Sequence, residues 1–183
     1  MSRQPRFRPD DLDPQRRALY DAIAHGPRSR GRQGFALTDA DGVLRGPFNA
    51  FLLSPAVGDA LQQVGAAVRY RTGLGARTRE LAILMVAAHH ASAFERAAHE
   101  PIGRTAGVTE EEIAVVRAGG IPAVDDPHER ACLTVTRALL AGDIDDATWS
   151  ACVPPLDEPT VFELCTLVGY YSTLALQMRI FRV

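Results

Sequence analysis

Residues 77–107 read RTRELAILMVAAHHASAFERAAHEPIGRTAG. Leu81, Leu84, Met85 and Ala88 recur at helical spacing, and Ala91, Phe94, Ala98, Ile102 and Ala106 resume it. A stretch this long and this apolar is core helix. It also carries Glu80, His89, His90, Glu95, His99 and Glu100, more ionisable groups than packing can use. A bend is expected near His90. Pro101 lacks a backbone N–H and crowds the preceding turn, so the helix is expected to kink or restart there. Gly107 reads as a C-cap glycine.

On the N-terminal side, Ser54-Pro55 is a cap-plus-first-turn pair, followed by a helical stripe of Val57, Leu61, Val64, Val68 and Tyr70. Asp13 and Pro14 open an earlier helix to Ala24, with Leu19, Tyr20 and Ile23 on one face. Residues 1–12 read as a loose, flexible arm and residues 26–34, GPRSRGRQG, as a Gly/Arg-rich loop. Phe35 to Leu44, with its Asp41-Gly42 turn signal, reads as loop.

On the C-terminal side, Thr109 and Glu112 form a capping box for a helix over 110–118. A Gly/Pro/Asp linker precedes a helix from Pro127 to Leu140. Asp145 caps another through Cys152, with Pro154-Pro155 as its stop. A long apolar helix from Pro159 to Ile180 closes the chain. No segment reads as a strand. The expectation is a single all-α domain of about seven or eight helices joined by short loops. Leu174, Leu176, Met178, Ile180 and Phe181 make the last helix apolar on more than one side, which implies a subunit interface as well as a core face.

Composition narrows the function classes. The chain has 183 residues, 46% hydrophobic and 23% charged, with a formal net charge of -2. That balance gives no general pull toward nucleic acid or an anionic membrane. No apolar run is long enough to span a bilayer, and no secretory h-region opens the chain. Cys132, Cys152 and Cys165 form no CxxC pair and no zinc spacing, and a sparse odd set suits a reducing cytoplasm. Cys132 and Cys165 read as buried structural thiols.

Glu95 and His99 are four apart and share a helix face, so the carboxylate can hold the imidazole for proton transfer. Ser92 lies one turn earlier on a similar face. Glu80 can approach His99 if the chain folds back near His90. Spacing alone favours a surface Glu–His pair worth about 0.2–0.5 kcal/mol. Adjacent His89 and His90 point apart, and neither is expected in the site. Two ligands could come from the E-x-x-x-H spacing, but there is no HExxH and no evident third ligand, so no metal and no cofactor are expected. Among Arg69, Arg71, Arg77 and Arg79, one could meet a carboxylate substrate, and Arg79 is the candidate. Tyr70 can wall a pocket or fill core. Asn49 is a candidate for the pocket mouth, between the packing residues Phe48 and Phe51.

GPFNAFLLSPAVGDALQQVGAAVRYRTGL, RTRELAIL and FERAAHEPIGRTAGVTEEEI resemble the carboxymuconolactone decarboxylase family, which includes the alkylhydroperoxidase D-like (AhpD-like) proteins. The resemblance runs from about Gly46 to Ala118. It implies an AhpD-like helical protomer assembled into trimers or hexamers. The peroxidase branch carries a Cys-x-x-Cys, then a His after three intervening residues, with a relay Glu on the preceding helix. Those positions fall on Ser92, Glu95, His99 and Glu80. The acid/base residues are kept and both thiols are missing, which undercuts dithiol chemistry. Arg96 stands where the family often has Trp. The implied function is a decarboxylase-like enzyme whose Glu80, Glu95 and His99 relay performs decarboxylation or isomerisation of a small lactone or carboxylic acid. The alternatives are an AhpD-like peroxidase and a non-catalytic oligomeric binding protein.

Overall fold

The computed structural model describes residues 2–26, 29 and 34–183, so most of the expected Gly/Arg-rich loop lies outside the described residues. Among the described residues there are nine α-helices and no strand. They are α1 (Pro14–Ala24), α2 (Pro47–Phe51), α3 (Pro55–Tyr70), α4 (Ala76–His89), α5 (Ala93–Thr105), α6 (Glu110–Arg117), α7 (Pro127–Ala141), α8 (Asp146–Leu156) and α9 (Glu158–Phe181). The expected count is exceeded because 77–107 is two helices and Pro47–Phe51 adds a short turn.

Helix α4 is the hub. Nine of its residues, Thr78 and Glu80 to Ala87, are buried. Ala82, Ile83 and Val86 pack into one hydrophobic cluster with α1, α3 and α9, while Leu81, Leu84 and Met85 pack into another with α6 and α7. A helix apolar all round is stable only when neighbours cover every side, and α5, α6, α7 and α9 all pack against it.

The chain reverses between α4 and α5. His90 caps α4, Ala91 takes a left-handed conformation with φ 52°, and Ser92 caps α5. The reversal folds α5 back along α4 and brings His99 of α5 to Glu80 of α4.

Two prolines depart from expectation. Pro101 lies inside α5 without ending it, and Pro154 and Pro155 lie in the last turn of α8, which runs on to Leu156. Packing on both flanks outweighs the lost N–H: Glu100, beside Pro101, is buried, as are Cys152 and Val153, just before the second pair, and Leu156. Asp13, Thr109 and Asp145 cap as read from the sequence, and Ser54 precedes Pro55 without a side-chain cap bond. Residues 35–44 form a tight turn closed by one antiparallel bridge, Thr38 to Leu44. The N-terminal arm is tied down: the Arg3 N–H donates to the Phe181 carbonyl (2.8 Å) and the Asn49 amide donates to the Pro5 carbonyl (2.7 Å).

Candidate active site

Glu80 comes from the second turn of α4. Glu95 and His99 come from successive turns of α5. All three are almost wholly buried, at 1%, 3% and 4% exposure. The His99 Nδ1 lies 2.7 Å from Glu80 Oε2, a strong hydrogen-bond distance. On the other side of the ring, Nε2 lies 3.5 Å from Glu95 Oε2. The imidazole is therefore held between two carboxylates. The Tyr171 ring of α9 meets it edge-on, with centroids 5.2 Å apart at 89°.

Three polar atoms here are buried without a hydrogen-bond partner: Glu80 Oε1, Glu95 Oε1 and Arg79 Nε. The first and last are 3.8 Å apart, an ion-pair contact too long for a hydrogen bond. Burial pushes the Glu95 carboxyl above its ordinary range, outweighing the opposing pull of His99 and Arg69. Burial likewise holds the Tyr171 hydroxyl well above its ordinary value, so it stays a phenol.

Glu95 and His99 line a cavity of about 20 Å³ with Phe35, Pro47, Phe48, Arg69, Phe94, Tyr170, Tyr171 and Leu174. That is room for about one water. Phe35 meets Phe94 edge-on at 4.8 Å and stacks on Phe48 at 6.3 Å. Gly46 supports this wall. Its φ is 61°, and a Cβ there would come within 2.1 Å of the Phe94 ring.

The structure thus brings Glu80, Glu95 and His99 together and moves the four expected binding residues elsewhere. Ser92 is used as the α5 cap, accepting from the Glu95 backbone N–H at 3.4 Å. The Asn49 side chain is spent on the N-terminal arm, donating to Pro5 and accepting from the Phe7 N–H. Tyr70 is 45% exposed at the end of α3. Arg79 stands behind Glu80, its Nη1 donating to the Leu74 carbonyl at 3.4 Å. His89 is exposed, whereas His90 Nε2 meets Ser172 Oγ at 2.9 Å, so the two diverge as expected. No group of three or more His, Cys, Asp or Glu among the described residues is arranged to hold a metal ion.

Sequence reasoning weighed Arg69 among four arginines and chose another. It passed over Tyr170, Tyr171, Phe35 and Phe94. A signal existed for the tyrosines: two adjacent phenols in the middle of an apolar helix need polar surroundings. None existed for Phe35, which a loop delivers. Cys165 is exposed, contrary to expectation, while Cys132 and Cys152 are buried. Burial raises the Cys132 thiol to about 12. None of the three lines the cavity.

Fold and site together define an all-helical protein with a buried histidine flanked by two carboxylates beside a small cavity walled largely by aromatic rings. Residues 55–138 match the sequence model of the Carboxymuconolactone decarboxylase family. The fold is similar to that of a protein of unknown function from Agrobacterium tumefaciens, described as a candidate antioxidant defence protein AhpD. The TM-score is 0.64 at 20% identity, over 75% of this chain and 96% of that one. No curated protein sequence matches the chain. No described helix is long and apolar enough to cross a membrane.

Proposed function

We propose that the protein is an acid/base enzyme that moves a proton at carbon beside a carbonyl or carboxylate, in decarboxylation or isomerisation of a small lactone or carboxylic acid. The observation that carries this reading is the His99 imidazole held between Glu80 and Glu95, with Glu95 Oε1 unpartnered at the cavity. When Nδ1 carries the proton it donates to Glu80, and Nε2 is left as an acceptor facing Glu95. A proton passing from Glu95 to Nε2, with the Nδ1 proton passing to Glu80, leaves Glu95 a carboxylate that can take a proton from substrate. Once Glu95 has delivered that proton to another carbon of the substrate and is again a carboxylate, the reverse passage restores the acid. In a decarboxylation, the carboxylate leaves as CO2 and its bond pair enters a conjugated carbonyl. The carbon then takes the Glu95 proton. Glu95 touches substrate, His99 relays, and Glu80 positions the imidazole. General acid–base catalysis of this kind contributes about 10²- to 10⁴-fold.

Dithiol peroxidase chemistry has less support, because it needs a thiolate at the site. A homo-oligomer in trimers or hexamers fits the exposure of Phe162, Leu176 and Ile180 on α9, and the sparse free cysteines fit a cytoplasmic setting.

The test is a panel of small lactones and unsaturated carboxylic acids incubated with the protein in D2O. CO2 release or deuterium incorporation at carbon, lost in Glu95→Gln and His99→Ala, is the expected result. Turnover of hydroperoxides that dies with thiol alkylation, with no reaction on the panel, would overturn it. A pocket ligand bound but never turned over would favour a binding protein.

A further inference from the structure

We infer that Arg79 sets the resting end of the relay: its positive charge holds the negative charge on Glu80, so that the imidazole carries its proton on Nδ1 and Glu95 keeps the acid proton. This rests on the acid/base reading of Glu80, His99 and Glu95.

Two carboxyls flank the His99 ring, and one negative charge shared between them can be placed in two ways. In the first form Glu80 is a carboxylate, Nδ1 donates to it, and Glu95 is a neutral acid. In the second the Nδ1 proton has passed to Glu80, the Glu95 proton has passed to Nε2, and Glu95 is the carboxylate. The imidazole is neutral in both, so the forms differ only in which carboxyl bears the charge. Burial disfavours a charge at either place, with Glu80 1% and Glu95 3% exposed. The nearby cations therefore decide between them.

Arg79 stands on the Glu80 side. Its Nε lies 3.8 Å from Glu80 Oε1, the oxygen that His99 does not use. A guanidinium keeps its charge at any working pH. Both atoms are buried, where charges are screened little. The Leu74 carbonyl, in the stretch before α4, accepts from Arg79 Nη1 at 3.4 Å and holds the guanidinium in place. Among the described residues Arg79 makes its ion pair with Glu80 and none with Glu95. Arg69 bears on both carboxyls, so it discriminates less between the two forms. The upward push of burial on the Glu95 carboxyl agrees with the first form. Arg79 does not line the cavity, so it acts through Glu80 as a positioning residue and touches no substrate. A substrate arriving at the resting site thus meets an acid on Glu95, the group a decarboxylation needs for its final protonation.

The ring nitrogens of His99 report the form. Nitrogen NMR of the full chain at neutral pH, with the His99 signals assigned by their absence in His99→Ala, should show Nδ1 protonated and Nε2 bare. R79M should reverse the two, and carboxyl carbon spectra of that variant should show Glu95 as a carboxylate. R79K keeps the charge and should keep the wild-type pattern. R79Q removes the charge but can still donate to the Leu74 carbonyl. It should reverse the pattern as R79M does, and it serves if R79M does not fold. With an acid from the panel that is turned over, R79M should lower kcat for CO2 release at least about tenfold at unchanged KM, and R79K should restore it. The same His99 pattern in the wild type, R79M and R79Q, both nitrogens protonated in the wild type, or a reversal in R79K as well would overturn the inference. The two readings fail separately. A reversal in R79M with no turnover of any acid sinks the acid/base reading and spares the role of Arg79. Turnover by the wild type with a His99 pattern indifferent to R79M and R79Q sinks the role of Arg79 and spares the relay.

Discussion

Two sets of ionisable side chains sit on the α4–α5 pair, and they are satisfied in opposite ways. Glu100 follows His99 in sequence but faces away from it. Arg117 holds both of its oxygens, at 2.8 and 2.5 Å. Arg77 joins Glu112 and Glu129, and the Thr78 hydroxyl completes Glu129 at 3.1 Å. Arg104 pairs with Glu110. On that side each named carboxylate is met by guanidinium, hydroxyl or backbone N–H donors, and the network is scaffold. On the His99 side, Glu80 and Glu95 are more deeply buried, yet each keeps an oxygen without a hydrogen bond. Buried polar groups are nearly always paired, and exceptions ask for a reason. The number of ionisable residues therefore does not mark the site. Incomplete pairing under burial does.

Removing the relay should have the largest effect. His99→Ala is expected to cut turnover at least about 100-fold. It also leaves the Glu80 carboxylate buried beside a void, which should cost about 3–5 kcal/mol by urea unfolding. An unchanged urea midpoint would mean that Glu80 gains little from the imidazole and that the two regions differ less than stated. Arg77→Met attacks the scaffold instead. It should cost about 1–3 kcal/mol, since two carboxylates lose a partner in a half-buried setting, while turnover stays at the wild-type level. Loss of both would blur the distinction.

Glu95→Gln separates the regions by pH. A carboxyl whose folded pKa is raised holds its proton more tightly folded than unfolded. Its contribution to stability is complete below the unfolded pKa and is lost as pH rises through the folded one. Glutamine cannot ionise, so the variant should gain on the wild type as pH climbs above the ordinary glutamate range. The gain is about 1.4 kcal/mol for each pKa unit of the upward shift. A difference flat from pH 4 to 8 would break the idea that burial governs Glu95. The smallest effect belongs to the hinge between the two helices. Ala91 has a left-handed backbone, so Ala91→Gly should raise stability by about 1 kcal/mol in the same unfolding experiment.

Much of this was legible in the chain. The helices and their caps followed from periodicity and from Asp13, Thr109 and Asp145. The trio Glu80, Glu95 and His99 followed from a shared face and a resemblance, and the fold-back at Ala91 made it a cluster. What stayed hidden depends on tertiary packing. Pro101 continues a helix that local rules would interrupt, because Glu100 and Gly103 around it are buried. Asn49 and Ser92 are read from the sequence as candidate site residues, and in the structure their side chains bond backbone groups, of Pro5 and Phe7 for Asn49 and of Glu95 for Ser92. Arg69 and Tyr171 reach the cavity from helices far away in sequence, and no local pattern links them to His99.

The most direct test of the relay is a carboxyl carbon NMR titration of the glutamates, with the Glu95 signal assigned by its absence in Glu95→Gln. The account predicts that Glu95 stays protonated through the ordinary glutamate range, near pH 4.3, titrates above it, and shifts its midpoint in His99→Ala. A Glu95 signal that titrates at the ordinary value and ignores the loss of His99 would contradict it.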